Sequence, residues 1–133
     1  MDTPSSFQFE GETGHLAPEA DPGRPVEAAV IVAHPDDETL WAGGLILMHP
    51  LWRWRVATLC RRSDPDRAAR FAKAVQALGA EGVMGDLDDG PAQRPLLALQ
   101  VEQAILSLLP EMRFDLVLTH GPRGEYTRHR RHE

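Results

Sequence analysis

The sequence predicts an α/β fold of Rossmann-like type, a mostly parallel sheet with helices on both faces. Two observations lead there. From Val26 onward, apolar β-type runs alternate with helical stretches of about 10–15 residues, the pattern of right-handed βαβ crossovers. Two of those runs then stop abruptly in polar clusters, and parallel sheets bind ligands outside the carboxyl ends of their strands. At 133 residues the chain is one domain or a piece of one.

Residues 1–25 (MDTPSSFQFEGETGHLAPEADPGRP) are polar and rich in Pro and Gly. They read as a flexible lead-in, with SSFQFE at most an edge strand, and the domain proper is expected over 26–133. The first strand falls at about 28–33 (AAVIVA). A helix should follow from about Thr39 to Met48, capped by Thr39 or Asp37, with Pro50 beyond its end. WRVATLC (54–60) is a second strand. SDPDRAARFAKAVQALG is the clearest helix: Ser63 or Asp64 caps it, Pro65 occupies its first turn and Gly79 stops it. Phe71, Val75 and Leu78 recur on one of its faces. EGVMGDL is a short third strand. RPLLALQVEQAILSLLPEM is a third helix, with Leu97, Val101, Ile105 and Leu108 on its buried face and Pro110 ending it. FDLVLTH (114–120) is the fourth strand.

Composition removes several function classes. No window approaches the ~20 apolar residues of a spanning helix, so no membrane role is expected. A formal charge of −6 argues against nucleic acid as a partner. The single cysteine, Cys60, cannot form an internal disulfide, which fits a reducing cytoplasm. A homo-oligomer stays open.

The first strand runs into His34-Pro35-Asp36-Asp37-Glu38. Three adjacent acids repel one another and are costly to desolvate without a cationic partner. The fourth strand leads into THGPRGEYTRHRRHE, where His129 and His132 stand three apart and would share one face of a helix. His34 and Asp37 with one of those histidines give two nitrogens and a carboxylate, a common catalytic zinc set that leaves positions for water and substrate. A dication there would neutralise the crowded acids. His120 is assigned a supporting or structural use rather than ligation. Glu38 and Glu125 either bond the ligand histidines, cap a helix or face solvent, and Tyr126 either lines the pocket or packs. Trp41, Trp52 and Trp54 read as core or interface, Cys60 as a buried small apolar residue, and His15 and His49 as surface.

AHPDDE after a hydrophobic strand, with HGPRGEYTRHRRH after a later one, resembles the PIG-L/LmbE-like family of zinc-dependent deacetylases of N-acetylglucosaminyl and related amino-sugar conjugates. The resemblance covers roughly residues 26–133. It implies His34, Asp37 and His132 as zinc ligands, Asp36 as general base, and His129 as the histidine that, protonated, steadies the oxyanion. Arg67, twelve residues before Gly79, matches a family arginine that contacts substrate. The chain departs from the family at Arg70, where many relatives carry Glu, and at Arg130-Arg131, where many read Pro-Asp. The implied reaction uses zinc to activate a water that attacks the acetamide carbonyl, with Asp36 taking its proton. Relatives are longer, so the resemblance also implies a C-terminally truncated domain with weak metal affinity and low activity. Two alternatives stand beside the enzyme: a non-catalytic member of the fold that keeps the metal and binds a sugar or nucleotide, and a nucleotide-binding module. The absence of G-x-G-x-x-G after the first strand counts against the second.

Overall fold

The computed structural model describes residues 23–110, 113–123, 125 and 129–133. Most of the expected lead-in, with SSFQFE and His15, lies outside them, as do Tyr126 and the residues just before His129. Four strands are described: β1 (Glu27–Val32), β2 (Arg53–Thr58), β3 (Glu81–Met84) and β4 (Leu116–Thr119). All pair in parallel, in the order β3-β2-β1-β4. Between them run α1 (Asp37–Met48), α2 (Pro65–Leu78) and α3 (Ala98–Leu108). The steps β1 to β2 and β2 to β3 travel one way along the sheet and β3 to β4 travels back. Right-handed crossovers therefore put α1 and α2 on one face and α3 on the other. The direction reverses at β1, so the crevice between the carboxyl ends of β1 and β4 is the topological switch point.

The core lies between the sheet and the α1–α2 layer. Alternate residues of β1 (Ala28, Val30, Val32) meet Trp54 and Val56 of β2, Ala42 and Ile46 of α1, and Phe71 and Val75 of α2. Helix α2 forms as its sequence dictates. The Asp64 carboxylate accepts from the Asp66 and Arg67 amides at 3.1 Å each, Pro65 sits at the start, and Gly79 closes the helix at φ 76°. Gly82 on β3 is required by packing rather than by backbone angle. A Cβ there would stand 2.7 Å from the Phe71 ring and 3.0 Å from Val75. Gly82→Ala should therefore cost about 1–3 kcal/mol through overpacking, seen as a lower urea midpoint. An unchanged midpoint would mean that Phe71 moves aside freely.

Three expectations about elements need correction. Helix α1 starts two residues earlier than expected, and neither Thr39 nor Asp37 caps it. The Thr39 hydroxyl donates instead to Glu38 and the Asp37 carboxylate accepts from the His34 amide, while the N-cap is Asp36, whose side chain makes no capping bond. Helix α3 begins only at Ala98, after the Gln100 side chain accepts the Leu97 amide at 2.9 Å. Leu97 thus stands outside the helical face and is 70% exposed, while Val101, Ile105 and Leu108 are half-buried. The last histidines lie on a single 3₁₀ turn, Arg130–His132, with His129 as its N-cap, not on an α-helix.

Candidate metal centre

His34 comes from the turn after β1, Asp37 from the start of α1, and His132 from the 3₁₀ turn that follows β4. His34 Nδ1 lies 3.1 Å from His132 Nε2 and 3.4 Å from Asp37 Oδ2, and the last two atoms are 3.2 Å apart. All three side chains are about nine-tenths buried (8–11% exposed). The turn is pinned from within, since the His34 amide donates to Asp37 Oδ2 at 2.9 Å and the Asp37 amide to the His34 carbonyl at 3.2 Å.

The outer atoms of both imidazoles decide what the inner ones offer. His34 Nε2 faces Asp89 Oδ2 at 3.1 Å, and His132 Nδ1 faces Glu125 Oε1 at 2.5 Å. Each carboxylate takes an N–H, which fixes the tautomers and leaves a lone pair on His34 Nδ1 and on His132 Nε2. Two lone pairs and a carboxylate oxygen therefore converge, an arrangement that calls for a proton or a cation. Donors on a tetrahedral ion with bonds of about 2.0–2.2 Å stand about 3.3–3.6 Å apart, close to the 3.1–3.4 Å found. The donor set fits a divalent metal.

The surrounding groups stabilise that charge arrangement. Burial pulls the His34 pKa down, but Asp37 and Asp89 outweigh it and the net shift is upward. Burial pushes Asp37 up, yet its bonds to His34 and the charge of His132 leave it lowered. Asp89 is likewise pushed up by burial, but Gln93, His34 and Arg61 bring it down to about 2. Arg61 closes on the Asp89 carboxylate at 2.9 Å.

The remaining candidates sort by contact. His120 Nε2 accepts the Ala33 amide at 3.0 Å while its Nδ1 meets Glu125 Oε2 at 2.7 Å, so neither nitrogen is left for a ligand. Glu125 bridges His120 and His132. His129 stacks on His132 with centroids 4.9 Å apart, because side chains three apart eclipse on a 3₁₀ turn, and sits edge-on to His34 at 4.6 Å. Burial and the like charge of His34 and His132 hold its pKa below the ordinary imidazole value, which disfavours the protonated form expected from the sequence. Its Nδ1 accepts the Arg131 amide at 3.2 Å, so the neutral ring carries its proton on Nε2. The Asp36 carboxylate is 78% exposed and stands 3.6 Å from Arg67, which also donates to the Pro35 carbonyl at 2.9 Å. A cavity of ≈ 260 Å³ lined by Asp36, Thr39, Arg67 and Phe71 opens there.

Among the described residues, Glu38 bonds no histidine. It is fully buried and accepts from the Asp36 amide and the Thr39 hydroxyl. Trp54 is buried and Trp52 stacks between it and His49, as core, while Trp41 is partly exposed. Cys60 is buried and joins His34 and Asp89 in a second cluster. Burial and the Asp89 charge push its thiol up to about 11, and Arg61 already occupies Asp89, so this cluster is the poorer metal set. Sequence reasoning missed Asp89. The available signal was GDLDDG, acids directly after the third strand, the same feature that singled out residues 36–38.

The family model for PIG-L, GlcNAc-PI de-N-acetylase, matches residues 29–133. No curated protein matches the chain.

Proposed function

The chain belongs to the PIG-L family of GlcNAc-PI de-N-acetylases, and we propose that it is a zinc-dependent hydrolase that removes the acetyl group from an N-acetylglucosamine-type conjugate. The observation that carries this reading is the convergence of His34 Nδ1, Asp37 Oδ2 and His132 Nε2, with the outer nitrogens of both imidazoles already bonded. These three would hold the metal. Bound zinc would lower the pKa of a coordinated water toward ~7 and polarise the acetamide carbonyl. Asp36, exposed and outside the ligand triangle, takes the proton of the attacking water. The Nε2–H of neutral His129 donates to the carbonyl oxygen as negative charge grows there, a contribution typically worth ~3–4 kcal/mol. The C–N bond then breaks, acetate leaves, and the proton held by Asp36 passes to the departing amine.

Arg67 is proposed to reach a substrate hydroxyl or anion with the donors it does not spend on Pro35. No described helix is long and apolar enough to cross a membrane; a cytoplasmic location is proposed from the lone buried Cys60. A homo-oligomer, if formed, would use the apolar flank of α1, where Leu40, Leu47 and Met48 are exposed.

The test is acetate release from N-acetylglucosaminyl conjugates, repeated after chelation and after zinc is restored. The expected result is release that stops on chelation and returns with zinc. Release indifferent to chelation would remove the metal from the mechanism, and zinc held without any release would favour the sugar-binding alternative.

A further inference from the structure

One peptide group beside the metal centre is gripped at both ends by side chains. The N–H of Asp36 donates to Glu38 Oε1 at 3.0 Å, and the carbonyl of Pro35, the other end of the same planar unit, accepts from Arg67 at 2.9 Å. Glu38 lies in the first turn of α1, is fully buried, and has its second oxygen engaged by Thr39 at 2.8 Å. Arg67 reaches across from the first turn of α2.

The gripped peptide precedes a strained residue. Asp36 has φ 119° and ψ −25°, a region that L residues other than Gly rarely adopt. A flip of the Pro35–Asp36 peptide by about 180° would carry φ of Asp36 to about −60° and, with ψ already at −25°, place it in the right-handed helical region. The relaxed alternative is thus one peptide flip away and would simply extend α1 by a residue. It would also turn the Asp36 N–H away from Glu38 and the Pro35 carbonyl away from Arg67.

We infer that Glu38 and Arg67 act together as a peptide clamp that keeps Asp36 in its strained conformation and so fixes where its carboxylate stands. Both are positioning residues. Glu38 cannot touch substrate, and this part of Arg67's role is separate from any substrate contact. The inference rests on the deacetylase reading only for what Asp36 does; the clamp itself is a conformational claim.

The experiment follows hydrogen exchange at the Asp36 amide by NMR in the full chain, with kcat, KM and zinc content measured in parallel, for Arg67→Ala, Glu38→Gln and Glu38→Ala. Arg67 does not contact the Asp36 N–H, yet Arg67→Ala should speed its exchange about tenfold or more, because the flip frees both ends at once. The same variant should lower kcat about tenfold or more with zinc content unchanged. Glu38→Gln keeps an acceptor for the amide and should retain slow exchange and most of kcat. Glu38→Ala, if it folds, should match Arg67→Ala, and combining the two should cost little more than either alone. Asp36 exchange unchanged in Arg67→Ala would overturn the clamp, whatever happens to KM. The exchange readout needs no turnover, so a parent chain that releases no acetate would count against the deacetylase reading and leave the clamp to be judged by exchange.

Discussion

Alanine at His34, Asp37 or His132 should reduce zinc affinity by more than ~100-fold, since losing an outer-shell partner alone typically costs ~10–100-fold. The three atoms concerned lie 3.1–3.4 Å apart and contribute equally to the triangle, so no single loss should be spared. A graded series sharpens the expectation. Asp89→Asn and Glu125→Gln leave the three donor atoms in place and act on them through the outer nitrogens of His34 and His132, and should fall in that ~10–100-fold range, well short of the ligand losses. Competition with a chromophoric chelator measures all five variants on one scale. Equal affinities across the series would mean that the cluster is a hydrogen-bonded packing unit and not a metal centre.

Asp36→Asn should leave zinc bound at full stoichiometry while kcat falls by ~10²–10⁴-fold, the usual cost of losing a general base. Asp36 and Asp37 are neighbours with opposite situations: Asp37 is 8% exposed and faces the imidazoles of His34, His132 and His120, whereas Asp36 is 78% exposed and faces Arg67. Asparagine keeps the shape and can still lie against Arg67, so the substitution removes proton transfer and little else. Steady-state acetate release by the zinc-loaded variant checks it. A near-normal rate would place the base on another residue.

Much of this arrangement is legible in the chain because the signals are local. Asp64, Pro65 and Gly79 mark both ends of α2 by capping chemistry, and the alternation of apolar runs with helices suffices for a parallel sheet. The clusters after β1 and β4 point to one edge once the sheet is known to be parallel. What stayed hidden depends on long-range packing or on backbone angles. Asp89 meets His34 only because β3 and β1 both flank β2, which no spacing reveals. Leu97 looks like part of an apolar stripe, but Gln100 starts the helix one residue later. The left-handed backbone of Asp36 is invisible because HPDDE alone does not demand it; it needs Arg67, which bonds Pro35 across 32 residues, as well as Glu38. His129 and His132 keep the spacing of an α-helix while adopting a tighter turn that stacks their rings.

X-ray absorption at the zinc edge of the zinc-loaded chain tests the central claim most directly, because the triangle of His34, Asp37 and His132 and the cluster of His34, Cys60 and Asp89 share His34 but differ in sulfur. Coordination by His34, Asp37 and His132 predicts one zinc per chain with only nitrogen and oxygen neighbours, at about 2.0–2.2 Å. A sulfur shell near 2.3 Å would place the metal on Cys60 and Asp89 instead and contradict the account, as would a chain that takes up no zinc.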